Sequence, residues 1–450
     1  MKDILKDMLI VDNFAGGGGT STGIEMALGR PVDIAINHDP KALAMHRINH
    51  PTADHYEESV WDVDPIEITK GKPVGIVWLS PDCKHFSKAK GGKPASKNIR
   101  GLAWVGLRWV ALKKPILFFL ENVTEFQTWG DLDENGRPCP KRKGRTFNSF
   151  VNALKRHGYH VEYRELRACE YGAPTIRKRF ILVARRDGLP IVWPEPTHKP
   201  RSNNLVQKGI LKPERIAAEC IDWTIPCQSI FERKKPLAKA TMERIAAGIN
   251  KFVINNPDPY IVDGKAPVLT ECANASNKRS MAIDEPLRTI CAETKGGHHA
   301  IIISHLSKMK NKCIGQDVNE PFHTLTTVNQ FAEVRAFLTA YYGGEKDGNS
   351  VKEPLRTIPT KDRFGLVTVK CQQYQIIDIG FRMLKPKELY KAQGFPDHYI
   401  FTHGIDHLGK KIKLTQTEQS RMVGNSVPPD LAEAIVRANV EVIAKQGMAA

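Results

Sequence analysis

The chain has 450 residues, with 66 Lys and Arg against 49 Asp and Glu, for a formal net charge of +17. That excess favours a polyanionic partner, either nucleic acid or an anionic membrane surface, and says little about fold. With 41% hydrophobic and 26% charged residues the composition excludes a disordered chain, and at about 100–200 residues per domain the length excludes a single small module.

No apolar run approaches the roughly 20 residues a membrane-spanning helix needs. The opening MKDILKDMLIVDNF carries acids and runs into a strand-like segment, unlike a signal peptide. Nine scattered cysteines, an odd number with no C-x-x-C pair, do not form a disulfide framework. The nearest pair, Cys220 and Cys227, has no Cys/His cluster at zinc-ligand spacing. A reducing cytoplasm and no structural metal are therefore expected.

The first half alternates β-rich runs with helix-compatible stretches, the pattern of a parallel sheet covered by helices. Expected strands are Leu9–Phe14, Val32–Asn37, Val74–Leu79, Ile116–Leu120, His160–Arg164 and Phe180–Ala184. The unbroken apolar character of IVWL and ILFFL suits strands buried on both faces. After Arg185 the proline-rich DGLPIVWPEPTHKPR ends the alternation and reads as a connection to a second domain.

From about Pro190 to Lys370 the texture is irregular and a phrase recurs. DEPLRTI (284–290), NEPFHTLTT (319–327) and KEPLRTIPT (352–360) place Pro286, Pro321 and Pro354 at spacings of 35 and 33 residues. Each reads as a turn feeding a short strand, with direct nucleic-acid contact by the Arg and His positions as the alternative. Helical texture returns beyond Lys370. In PPDLAEAIVRANVEVIAKQG, Leu431, Ile435, Ala438 and Val442 fall on one stripe, Pro428, Pro429 and Asp430 suit the first turn, and Gly447 suits the end.

The chemistry-bearing residues lie at expected strand ends. MLIVDNF, with Asp12 and Phe14, leads into Gly16-Gly17-Gly18-Gly19-Thr20-Ser21 and a helix, a turn that lets a ligand approach backbone N–H groups; a plain tight turn explains it equally well. AINHDP puts Asn37 where dinucleotide folds place a ribose-binding acid, and Asp62 follows in SVWDVDP; each could equally be a cap or turn residue. Ser80-Pro81-Asp82-Cys83-Lys84-His85-Phe86-Ser87 puts Cys83 at the carboxyl edge of the sheet, beside cations that favour a thiolate. FFLENV puts Glu121 and Asn122 after an apolar run, where an unpaired acid is costly to bury. Arg177 and Arg179 in APTIRKRFILVARR could clamp an anion or cap a solvated strand end.

The ordered series discriminates among these readings. DxFAGxGG, PxC followed by FS, ENV, RxRF, a variable region, ELYKAQGFP and GNSVPP together resemble the DNA (cytosine-5) methyltransferases, over about residues 8–190 and 380–445. The resemblance implies an α/β fold: a Rossmann-like S-adenosylmethionine-dependent methyltransferase domain (1–190 and 375–450) and a smaller, irregular β-rich target-recognition domain (191–374) facing it across a DNA cleft. It implies Cys83 as the nucleophile that adds to cytosine C6, and Glu121 as the group that holds the N3 edge and supplies a proton. It further implies that Asn122, Arg177 and Arg179 order the site, with the two arginines on the target base or backbone. Asp12, Phe14, Gly16, Gly18, Asn37, Asp62, Asn425 and Ser426 would hold S-adenosylmethionine. The implied partner is double-stranded DNA, with the target base flipped out of the helix and phosphates met by SKAKGGK (87–93) and KRKGR (141–145). A monomer in the cytoplasm of a bacterial or phage-infected cell, associated with the nucleoid, is expected, with any cognate restriction endonuclease acting separately. The alternatives are an RNA cytosine-5 methyltransferase and a catalytically inactive, sequence-specific DNA-binding homologue. Four positions depart from the family pattern, Asp82 for proline, Lys84 for glutamine, Asn37 for an acid and Thr175 for glutamine, and none removes a bond-making group.

Overall fold

The computed structural model describes residues 5–82, 101–134, 138–263, 265–271, 280–290, 299–308, 366–369 and 372–447. They divide into two compact units: Met1–Arg215 with Pro286–Glu293 and Pro386–Ala450, and Ile216–Glu285 with Thr294–Lys385. The proline-rich stretch after Arg185 thus stays with the first unit, as does most of the first recurring phrase. The other two recurring phrases, Cys83 and the SKAKGGK run lie outside the described residues.

The first unit is built on a seven-stranded sheet of order β3-β2-β1-β4-β5-β7-β6. Its strands are β1 (Leu9–Asn13), β2 (Ile34–Ile36), β3 (Asp54–Tyr56), β4 (Val74–Leu79), β5 (Leu117–Asn122), β6 (His160–Arg167) and β7 (Lys178–Arg185). Strands β1 to β5 run parallel, whereas β7 is antiparallel to both β5 and β6. The all-parallel expectation is therefore corrected to a mixed sheet. The reversal brings the start of β7 to the carboxyl edge of the parallel strands, with Asn122 opposite Phe180. Strand β3 has no signal in the sequence, because DHY carries no apolar run.

The apolar strands β4 and β5 are buried throughout. Side chains alternate between faces. Val77, Leu79, Phe118 and Leu120 join one core cluster, and Ile76, Trp78, Leu117 and Phe119 join the other. Helices α1 (Gly19–Leu28), α2 (Pro40–Asn49), α3 (Pro65–Thr69), α4 (Val105–Leu112) and α5 (Arg145–Arg156) belong to this unit. A short pair, β8 (His198–Lys199) and β9 (Lys212–Pro213), follows.

The second unit is an antiparallel sheet of order β11-β10-β12-β14-β13, made of β10 (Lys265–Glu271), β11 (Ser280–Met281), β12 (His299–Lys308), β13 (Leu366–Val369) and β14 (Gln372–Met383). Helix α6 (Lys239–Ile249) packs Met242, Ile245 and Ile249 into a core with Val268, Ile302 and Phe381. Back in the first unit come α7 (Pro386–Ala392), the hairpin β15 (His403–Ile405) and β16 (Lys411–Lys413), α8 (Gln416–Asn425) and α9 (Pro429–Gly447).

Helix α9 buries Leu431, Ile435, Asn439 and Ile443 together with Ala432, Val436 and Val440. Ala438 and Val442 are only half-buried, so the expected stripe is rotated. Asn439 lies on that buried face, where its amide accepts from the Val192 N–H at 3.1 Å and donates to its carbonyl at 2.9 Å. A polar side chain can occupy a core face when it pairs in this way.

Candidate active site at the carboxyl edge of the sheet

The adjacency of β2, β1, β4, β5 and the start of β7 gathers several of the chemistry-bearing segments on one edge. Strand β1 is followed by Phe14, which has φ 64, a conformation uncommon outside glycine. Gly18 caps α1 with φ 97 and no side-chain hydrogen bond; the Ser21 N–H is held by Asp12, and the N–H groups before it in the first turn are the ones placed to meet a ligand. A Cβ on Gly18 would lie 2.4 Å from the Tyr399 hydroxyl and 2.9 Å from His50 Nε2. Tyr399 itself donates to the Gly17 carbonyl. The turn is thus supported from behind by groups that belong to none of the sequence motifs.

Asp12 is fully buried beneath this turn and accepts from the Ser21 hydroxyl at 2.7 Å. Burial pushes its carboxyl up to about 7, against the lowering effect of the Ser21 hydrogen bonds. Its Oδ1 and both polar atoms of Asn13 are buried without a partner among the described residues. Asn37 follows β2 and spends its side-chain oxygen on the Asp39 N–H at 2.8 Å. That leaves its amide nitrogen as the outward donor, the reverse of an acid's acceptor role. Asp62 lies exposed in a turn, beside Val60 and Val63, which share the core cluster that Phe14 packs against. Backbone orphans at the glycine turn and partnerless polar atoms below it suit a polar, nucleoside-containing ligand.

Beside β1, the Ser80 N–H donates to the Asn13 carbonyl at 3.3 Å. The chain then passes through Pro81 and Asp82 toward Cys83. Asn122 holds this approach by donating to the Pro81 carbonyl at 3.1 Å while accepting from the Val123 N–H at 2.9 Å. Glu121, 7% exposed, pairs with Arg179 Nε at 2.7 Å, and Arg179 is 8% exposed. Two nearly buried opposite charges at this distance satisfy each other.

Arg177 is buried and donates to the carbonyls of Ile290, at 3.0 Å, and Gly424, at 3.1 Å. The first contact comes from the recurring phrase, where Thr175 bridges to Leu287. The second orders the turn carrying Asn425 and Ser426, whose own carbonyl accepts from Gln393 at 2.9 Å. Asn425 is exposed and Ser426 nearly buried, with its hydroxyl donating to the Val423 carbonyl. Elsewhere, Lys141, Arg142 and Lys143 before α5 and Arg145 at its first position are exposed, with Arg142 and Arg145 3.4 and 3.6 Å from Asp131. Among the described residues, no cluster of three or more His, Cys, Asp and Glu could hold a metal ion, and no helix is long and apolar enough to cross a membrane.

Residues 8–441 match the model of the C-5 cytosine-specific DNA methylases. The Type II methyltransferase M1.HphI of Haemophilus parahaemolyticus is 24% identical over 433 residues, 95% of this chain and 85% of that protein. The Type II methyltransferase M.XorII of Xanthomonas oryzae is 34% identical over 196 residues, 42% of this chain and 43% of that protein. Among solved structures, a DNMT2 mutant from Spodoptera frugiperda has a TM-score of 0.50 at 14% identity, covering 96% of this chain and 99% of that one, a likeness of fold.

Proposed function

The chain belongs to the C-5 cytosine-specific DNA methylases, and from that premise we propose that it methylates C5 of cytosine within a specific duplex DNA sequence, using Cys83 as nucleophile. The observation that carries the site assignment is the convergence of Glu121, Asn122, Arg177 and Arg179 on the edge where Pro81 and Asp82 lead into Cys83. S-adenosylmethionine, when bound, supplies an electrophilic methyl group on a sulfonium. The glycine turn with Phe14, Asn37, Asp62, Asn425 and Ser426 would hold it.

Cytosine C5 is a poor nucleophile, so addition at C6 must first create an enamine. The Cys83 thiolate makes that addition, and Glu121, kept in place by Arg179, relays a proton taken up from solvent to N3 as negative charge develops on the ring. Asn122 fixes the backbone entering the nucleophile loop. Once C5 carries the methyl group, its proton passes to solvent water, Cys83 leaves as the thiolate, and N3 returns its proton to Glu121. A stacked base cannot reach Cys83, so the target leaves the helix at a cost of a few kcal/mol. The antiparallel unit is the surface we assign to target recognition, and relatives named Type II methyltransferases support a place in restriction–modification.

The test is incorporation of labelled methyl from S-adenosylmethionine into duplex DNA, with RNA as the competing polymer. Cys83→Ala should abolish it, and equal incorporation by the variant would overturn the nucleophile assignment. Bisulfite sequencing of the product then yields the target site.

A further inference from the structure

Behind the glycine turn runs a buried file of four side chains, one from each of four elements. Asp12 Oδ2, on β1, accepts from Ser21 Oγ, on α1, at 2.7 Å. Ser21 Oγ lies 2.8 Å from His46 Nε2, on α2, and His46 Nδ1 lies 2.8 Å from His55 Nε2, on β3. Asp12, Ser21 and His46 have no exposure, whereas His55 is half-buried. The file therefore leads from the partly open edge of the sheet to the carboxyl beneath the turn.

Hydrogen counting gives this file two self-consistent states, because a hydroxyl and a neutral imidazole each have one hydrogen to donate. With Asp12 ionised, Ser21 donates to Asp12, His46 Nε2–H donates to Ser21, and His55 Nε2–H donates to His46. With Asp12 protonated, every bond reverses: Asp12 donates to Ser21, Ser21 to His46 Nε2, and His46 Nδ1–H to His55 Nε2. His55 then presents Nδ1–H, and the Ala53 backbone beside that ring is its acceptor. One proton entering at His55 Nδ1 and one transfer at each link convert the first state into the second, with no proton created or lost.

Neither state needs a charged imidazole. Burial, then His50, His55 and Arg47, hold His46 well below the usual histidine range, and burial lowers His55 to about 4. Burial meanwhile places Asp12 at about 7, where the two states interchange. The charged and titratable neighbours are Glu25 from α1, Arg47 and His50 from α2, Asp54 from β3, and His398 and Tyr399 from the segment after α7. His50 is occupied by Glu25 at 3.1 Å and Thr22 at 3.3 Å, and Arg47 by the Ile405 carbonyl at 2.8 Å.

We propose that Ser21, His46 and His55 are positioning residues that carry a proton to and from Asp12, and that ionised Asp12 favours the cationic cofactor on the glycine turn. The inference rests on the cofactor assignment above. Asp12 precedes Phe14 by two residues and Ser21 lies in the first turn of α1, so reversal of the file acts on both ends of the turn. Because a sulfonium is attracted by a nearby carboxylate and a thioether is not, S-adenosylmethionine should feel the reversal more than S-adenosylhomocysteine.

Histidine ring ¹⁵N spectra across roughly pH 6 to 8 test the file directly. The His46 ring should pass from Nδ1–H to Nε2–H as pH rises, without becoming doubly protonated, and should keep a single tautomer in Asp12→Asn. Calorimetry should show S-adenosylmethionine binding tightening by about tenfold over the same range, as expected if the bound sulfonium lowers the Asp12 midpoint by about one pH unit. The homocysteine product should respond less and Asp12→Asn not at all. Ser21→Ala and His46→Gln should move the midpoint, and Ser21→Thr, which keeps the hydroxyl, should restore it. A single His46 tautomer in the wild type at all pH values overturns the proposal, as does a midpoint unchanged by Ser21→Ala. A tautomer switch in a wild-type protein that binds no S-adenosylmethionine would instead overturn the cofactor assignment, and the link to cofactor binding with it.

Discussion

Glu121 and Arg179 illustrate how a single ion pair constrains both stability and chemistry. Each is about a tenth exposed or less, and their 2.7 Å contact compensates two charges removed from water. Arg179→Met strands the carboxylate and should cost about 3–5 kcal/mol in urea denaturation. Glu121→Gln keeps the shape but not the proton, so single-turnover methyl transfer should slow by about 10²–10⁴-fold. The enclosed acids Asp12 and Asp430, both raised to about 7 by burial, carry a pH signature. Their folded-state values exceed the unfolded value of 3.8, so their contribution is complete below that pH and is lost as pH rises to about 7. Thermal midpoints measured over this window should fall, and Asp12→Asn should flatten part of the decline.

At this scale, Glu121, Asn122 and the two arginines were legible as candidates because they follow or precede apolar runs, where a charge has no reason to sit without a task. Asn37 was legible as a position but not as a chemistry, since only the fold reveals that Asp39 takes its oxygen. His46 had no local signature at all. One histidine on a short helix acquires meaning only when α1 and β3 bring Ser21 and His55 to its two nitrogens.

Among the elements, α1 and α9 pack closely at Gly23, where a Cβ would lie 2.5 Å from the Pro429 carbonyl oxygen and 2.6 Å from the Ala432 side chain. Gly23→Ala must push α9 away, together with the turn carrying Asn425 and Ser426. It should destabilise by about 1–3 kcal/mol and raise the KM for S-adenosylmethionine, both checked on one purified variant. Short apolar strands leading into polar residues were readable from β1, β4 and β5, where burial on both faces demands apolar runs. The direction of β7 was not readable, because a buried strand looks alike whichever way it runs. The same holds for the face of α9: Asn439 pairs with Val192, 247 residues away in sequence, and no periodicity rule foresees that partner.

For the whole molecule, the +17 charge becomes a statement about a duplex. DNA affinity should fall linearly with log salt, with a slope of about −0.9 for each phosphate neutralised. Replacing Lys141 and Lys143 by Gln should reduce that slope by about 1 for each lysine in contact, without changing which sequence is preferred. An unchanged slope in filter binding would remove this segment from the DNA surface.

Sequence alone determined the family, the reaction and the order of the site segments, because strand-end chemistry is written in contiguous motifs whose spacing survives in one dimension. Tertiary structure decided which of those residues hold one another: the Glu121–Arg179 pair, the Asn122 grip on Pro81, the two carbonyls that order Arg177, and the file from His55 to Asp12. These are contacts between elements distant in the chain, and hydrogen bonds and burial depend on distance in space, which local pattern does not encode.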